Sequence, residues 1–232
     1  MKIPFYIKTL ALLMLAPLML SAQNAAMSDK RLNILTLGDS NGTFPHSWPK
    51  QLEAALPNAT VFNISKSGRT IGFLNLGDST LNSLMVVDAN LKKAAEATGN
   101  RPYDYIILEL GTNDAKAVFA DRQLEVPANL AKLINAIQLS VYPVVSKAKI
   151  LIISPPPYGG KAAATEKYKG GAQRVQAMNK AFAKVARQNH CLFVSGYNTP
   201  DLDVEAMTAD GLHLDAVGSR KLIEPVVAAI IK

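Results

Sequence analysis

Ser40 stands at the centre of Gly38-Asp39-Ser40-Asn41-Gly42, a G-x-S-x-G arrangement that directly follows a β-rich run. A serine so placed is a candidate nucleophile for acyl transfer. Its hydroxyl is unreactive unless a base within hydrogen-bond reach takes the proton and a third group orients that base. Three histidines compete for the role. His46, in "GTFPHSW", is close to Ser40 in sequence and is a candidate pocket-lining residue, against the plainer reading of an exposed loop histidine. His190 ends a helical segment, where the negative end of the helix dipole suits it. Only His213 has a carboxylate placed to orient it. Asp210 stands three residues earlier across Gly211, so a tight loop can fold the carboxylate back onto the ring Nδ1. The Nε2 atom is then free to accept the proton of Ser40.

An acyl-transfer site also needs donors for the developing oxyanion. The side-chain NH₂ of Asn113 in "GTND" is one candidate, the backbone N–H of Gly68 in "SKSGRT" a second, and that of Ser40 a third. The word "LGDS" recurs at Leu76 to Ser79, ahead of the helix-spaced "TLNSLMVV". There Asp78, Ser79 and Thr80 read as a helix N-cap, so the first copy is taken as chemical and the second as structural. No HExxH, paired cysteines or clustered histidines occur, and "GDSNG" lacks the Gly-Lys-Ser/Thr ending of a phosphate loop. Neither a metal nor another cofactor is expected.

These residues need a scaffold that brings them together. Short apolar runs at 32–37, 60–64, 103–110, 149–154 and 191–195 read as strands. Between them lie helix-spaced stripes: Trp48, Leu52 and Leu56; Leu81, Leu84, Met85 and Leu91; Leu130, Leu133, Ile134 and Ile137; Val175, Met178, Phe182, Val185 and Ala186. Nearly continuous apolar strands alternating with helices indicate an α/β fold with a parallel sheet covered on both faces. Ligands then bind beyond the carboxyl ends of the strands. "GDSN", "SKSGRT", "GTND" and "SPPPYGG" each follow a strand, and Asp215 is placed to cap the last helix.

The first 26 residues carry Lys2 and Lys8 ahead of an apolar run from Leu10 to Leu20, broken by Pro17. The run is too short for a membrane span of about 20 residues and reads as a secretory signal peptide. The expected organisation is a signal over 1–23, cleaved somewhere in 22–26, and a single domain over 24–232. Export to the periplasm or the extracellular space follows, with no stable membrane anchor. Cys191 is the only cysteine, so no disulfide framework is expected, and it reads as a buried strand residue. Without the signal the formal charge of +7 falls to about +5. The excess concentrates in Lys161, Lys167, Lys169, Arg174, Lys180, Lys184 and Arg187 against Glu166. This is either a solvated helix face or a surface for anionic polymers. Aromatic interleaving that would stack bases is missing, so nucleic acid is not an expected partner.

With Ser40 in "GDSN", Gly68 in "SKSGRT", Asn113 in "GTND" and His213 in "DGLHLD", the chain resembles the SGNH (GDSL-type) hydrolases in four ordered blocks. The resemblance implies a three-layer α/β/α domain with a flavodoxin-like five-stranded parallel sheet. It also implies metal-independent serine ester hydrolysis, with Asp210 as the triad acid. Asn41 stands where leucine is usual, which weakens any inference toward lipid substrates. An α/β-hydrolase is excluded by architecture, since too few residues precede the Ser40 strand to hold the earlier strands of that fold. The polar loop around Trp48, with Asn41, His46, Arg69 and Lys116 as candidate substrate contacts, suits a short-chain, acetyl-type ester of a carbohydrate. A lysophospholipase or thioesterase of the same family, and a non-catalytic glycan-binding protein, are the alternatives.

Overall fold

A computed structural model describes residues 31–99 and 101–231. Five strands, β1 (Leu32–Gly38), β2 (Ala59–Asn63), β3 (Tyr105–Glu109), β4 (Lys149–Ile153) and β5 (Leu192–Val194), form one parallel sheet in the order β2-β1-β3-β4-β5. The five longer helices are α1 (Trp48–Ala55), α2 (Ser83–Thr98), α3 (Glu125–Gln138), α4 (Gly171–Gln188) and α5 (Ala216–Ile230). The three-layer α/β/α expectation holds. The signal-peptide expectation falls on residues outside those described, and no helix among the described residues is long and apolar enough to cross a membrane.

Strand alternation divides the core. Ile34, Ile107, Leu151, Ile153 and Val194 face Trp48 and Leu52 of α1 and Leu222, Ile223 and Val226 of α5. Their neighbours Leu35, Leu37, Ile106, Leu108, Ile150 and Ile152 face the other way, onto α2, α3 and α4. Side chains alternate between the faces of a strand, so a strand covered on both sides is apolar at successive positions, as Ile106–Leu108 of β3 and Ile150–Ile153 of β4 are. The stripes of α3 and α4 are fully used: Leu130, Leu133, Ile134, Ile137, Val175, Met178, Phe182, Val185 and Ala186 are all buried. Trp48 is also buried in this core, as its place in the first stripe predicts, so its ring is not available to stack on a sugar.

The stripe over 81–91 is only partly correct. Residues 79–81 form a 3₁₀ turn and Asn82 is extended before α2 begins at Ser83. That interruption resets the helical phase, so Leu81 and Leu91 are buried while Met85 turns out to solvent at 61% exposure. Cys191 is half-buried rather than buried and just precedes β5; burial pushes its thiol up to about 11.

Chain order reverses about β1, which has β2 on one side and β3 on the other. In open α/β sheets the crevice at such a reversal, beyond the carboxyl ends, is where ligands bind. Gly38 at the end of β1 is in register with Glu109 at the end of β3, so the segments beginning at Asp39 and Leu110 leave the sheet side by side.

Candidate active site

Ser40 leaves β1 in a single 3₁₀ turn, Ser40–Gly42. Asp39, wholly buried, caps that turn by accepting from the backbone N–H of Asn41 at 3.0 Å. From the end of β2, the Asn63 amide donates to the Gly42 carbonyl at 2.7 Å and fixes the other side of the turn. Burial pushes the Asp39 carboxyl up to about 6, against the opposing pull of the Asn41 N–H, Thr112, His213 and Lys116. Burial, and then Asp39 itself, push the Glu109 carboxyl well up. The nucleophile candidate therefore rests on a buried acidic floor while its own side remains partly open, at 8% exposure.

His213 arrives from the far end of the chain. Its Nε2 lies 2.9 Å from Ser40 Oγ, and its Nδ1 lies 2.6 Å from Asp210 Oδ2. The other Asp210 oxygen accepts from the backbone N–H groups of Leu212 at 2.9 Å and His213 at 2.8 Å. Partial burial pulls the Asp210 carboxyl upward, but these donors and the His213 charge outweigh it and hold the group below the ordinary carboxylate value. An ionised carboxylate on Nδ1 selects the tautomer whose Nε2 accepts a proton. Gly211 makes the loop feasible. Its φ is +77°, and a Cβ there would approach Ala162 N to 2.7 Å.

Asn41 has a different place from the one expected. Its amide donates to the Leu212 carbonyl at 3.2 Å, and its Oδ1 accepts from the Leu214 N–H at 2.9 Å. The side chain thus grips the backbone on both sides of His213 and is occupied there, not in substrate contact. No leucine could make these bonds. Phe44 closes the same corner, with its ring edge-on to His213 at 5.4 Å and stacked on His46 at 5.5 Å. His46 therefore touches the site through Phe44. His190 is exposed beyond the end of α4, near the amino ends of β3 and β4.

The three oxyanion-donor candidates converge on the other side of Ser40. Gly68 has φ +81°, and an added Cβ would come within 3.3 Å of Asn75 and Leu81. Its carbonyl accepts from the Asn75 amide at 2.6 Å, which anchors the Gly68–Arg69 peptide next to the Gly68 N–H. Asn113 is buried and donates one amide hydrogen to the Arg69 carbonyl at 3.1 Å, leaving the other for the cleft. The backbone N–H groups of Ser40 and Gly68 donate to no protein acceptor among the described residues.

Ser40, Gly68, Asn113 and His213 share a cleft of about 360 Å³ with Phe44, Leu76, Leu81, Lys116, Lys167 and Tyr168. Lys116 is thus where the sequence places it. Arg69 is not: its guanidinium is buried, donates to the Ile64 carbonyl at 2.6 Å and lines a separate cavity, so only its backbone carbonyl serves the cleft. Phe44, Leu76, Lys167 and Tyr168 are lining residues the sequence did not single out as contacts. The available signals were that Phe44 follows "GDSNG" closely, Leu76 opens the second "LGDS" word, and Lys167 and Tyr168 lie a few residues after "SPPPYGG". Among the described residues, no three His, Cys, Asp or Glu side chains converge as metal ligands do.

A family model described as GDSL-like Lipase/Acylhydrolase family matches residues 35–221. No curated protein matches the chain. Among solved structures, a carbohydrate acetylesterase from Sinorhizobium meliloti is 22% identical, with 86% of this chain and 100% of that one covered and a TM-score of 0.72. A second structure, of a carbohydrate acetylesterase family member from the same organism, is 25% identical over 86% and 99% of the two chains, with a TM-score of 0.69. The aryl esterase of M. smegmatis is 23% identical over 86% and 98%, with a TM-score of 0.73.

Proposed function

The chain belongs to the GDSL-like lipase/acylhydrolase family, and from that premise we propose that it hydrolyses short-chain esters, acetyl esters of carbohydrates foremost, with Ser40 as nucleophile. It is a carboxylic ester hydrolase. His213 Nε2 takes the Ser40 proton as Oγ attacks the ester carbonyl, and Asp210 holds the imidazolium that results. The oxyanion is received by the N–H groups of Ser40 and Gly68 and by the free hydrogen of Asn113. His213 then protonates the departing alcohol, water attacks the acyl-enzyme by the same base, and the acid is released.

The observation that carries this reading is the continuous hydrogen-bond chain from Asp210 through His213 to Ser40, 2.6 and 2.9 Å long. Support for the acetylated carbohydrate comes from the small cleft and from the solved relatives that are carbohydrate acetylesterases. One feature favours a second reading, a lipid-type or thioester acyl hydrolase. An open apolar trough lined by Leu74, Leu76, Val118 and Phe119 adjoins the cleft and shares Leu76 and Lys116 with it. A p-nitrophenyl ester series from acetate to palmitate separates the two. A kcat/KM that falls steeply beyond butyrate, with acetate released from acetylated glycans, supports the first reading. A maximum at eight carbons or more overturns it in favour of the second. We further propose that residues 1–23 direct export, tested by N-terminal sequencing of the protein recovered from the producing cell's periplasm or medium.

A further inference from the structure

We propose that the Lys116–Lys167 end of the cleft is an anion subsite, and that the esters turned over are those of acidic sugars, whose negative charge seats there. This rests on the esterase reading and names its substrate class. The basic segment noted in the sequence is divided by the fold. Arg174 is spent on the Ala115 and Lys169 carbonyls, Lys169 pairs with Glu166 at 3.6 Å, and Lys161 donates to the Ala209 carbonyl. Lys167 is the member that reaches the cleft, its ammonium 5.1 Å above the Tyr168 ring. It meets Lys116 there, a residue from the opposite rim that the sequence placed at the site for other reasons.

Lys116 carries most of the argument. Only 4% of it is exposed, yet it lines both the cleft and the adjoining trough. Its ammonium has three donors, and the protein acceptor it meets is neutral, Asn75 Oδ1 at 3.0 Å. No carboxylate among the described residues hydrogen-bonds or ion-pairs with Lys116 or Lys167. Burial, and then the Lys167 charge, push the Lys116 amine down to about 8, while Asp39 and Asp114 pull the other way. Two like charges held at one end of a cleft are an unfavourable arrangement that a bound anion relieves. The cleft lining contains no Asp or Glu to repel such a ligand. The carboxylate of a uronic acid and the sulfate of a sulfated sugar share the chemistry that two ammonium groups recognise.

Acetylated methyl glucuronoside, acetylated methyl glucoside 6-sulfate and acetylated methyl glucoside differ in charge on one ring. Wild-type protein at low salt should favour at least one charged ester over the neutral one by about tenfold in kcat/KM, chiefly through KM. The preference should shrink as salt is raised. The two charged arms distinguish carboxylate from sulfate. Lys167→Glu, at an exposed position, should abolish the preference or invert it, read as the ratio of charged to neutral ester kcat/KM within the same variant. Lys116→Gln should reduce the preference as well. A wild-type ratio of one or below, or a ratio unchanged in both variants, overturns the subsite. If no ester is hydrolysed, the esterase reading fails by itself, and calorimetric titration of Ser40→Ala protein still decides the subsite. Tighter binding of a charged sugar supports it, and equal binding of all three overturns it.

Discussion

The tetrapeptide Leu-Gly-Asp-Ser occurs twice, at 37–40 and 76–79, and the two copies have opposite fates. In the first, Leu37 and Gly38 end β1, Asp39 is sealed beneath the turn, and Ser40 meets His213. In the second, Leu76 is 87% exposed at φ +56°, Gly77 follows at φ +73°, and Asp78 accepts from the Thr80 N–H at 2.7 Å in the open. Both aspartates make the same local bond, a carboxylate oxygen to the N–H two residues on. The chemistry therefore comes from the position at the sheet's reversal point, where other strands deliver Asn113 and a distant loop delivers His213. The second copy caps only the 3₁₀ turn at 79–81, and Asn82 caps α2 by accepting from Leu84 N–H at 3.0 Å. It also contributes Leu76 to the cleft wall, so it is more than the helix cap its sequence suggests.

Ser40→Ala is the sharpest break of this contrast. It should lower kcat on p-nitrophenyl acetate by roughly 10⁴-fold or more, whereas Ser79→Ala should stay within about twofold. Asn113→Ala, which removes one oxyanion donor from the first neighbourhood alone, should cost roughly 100- to 1000-fold in kcat, with a modest fall in melting temperature from the Arg69 carbonyl it leaves unpaired. Asn41→Leu restores the residue usual in the family and releases the backbone on both sides of His213. About a 10- to 100-fold loss in kcat with little change in KM is expected, because a misplaced base costs rate more than binding. Asn41→Asp keeps the acceptor for Leu214 N–H and should fall between. An unaffected Asn41→Leu enzyme would show that the strap positions nothing. Asp78→Ala should lower the melting temperature slightly and leave kcat alone, since that cap supports only an exposed turn.

The buried acids under the first copy yield the smallest effect. Burial raises the Asp114 carboxyl from an ordinary 3.8 to about 7, although the Ile71 N–H donates to both of its oxygens at 3.0 Å. A carboxyl raised in the folded state adds stability below its unfolded pKa and loses it as pH rises toward the folded value. Between about pH 4 and 7 the protein should lose stability from Asp114, as it does from Asp39 and Glu109 over their own raised ranges, while Asp210, held below 3.8, acts in the opposite sense and only below that window. Asp114→Asn should flatten the fall of melting temperature across that window, and a slope equal to wild type would contradict the assignment.

The sheet was legible because strands buried on both faces must be apolar throughout, and the helices of the larger stripes because one apolar face is all they bury. Asp210 and His213 were legible for a different reason: their contact is local and needs only Gly211 between them. Asn41 was not, because its partners lie 171 and 173 residues away and nothing in "GDSN" indicates that they return to it. Arg69 misled because its charge drew notice while its backbone carbonyl, which every residue has, is what orients Asn113. The apolar trough escaped notice because Leu74, Leu76, Val118 and Phe119 come from two loops and form no run in sequence.

The contrast between the two copies is tested most directly by labelling with a fluorophosphonate and mapping the modified peptide by mass spectrometry. A single adduct on Ser40 is expected, formed by wild type and by Ser79→Ala protein, absent from Ser40→Ala, and strongly slowed in His213→Ala. An adduct on Ser79, or full esterase turnover by the Ser40→Ala variant, would contradict the account.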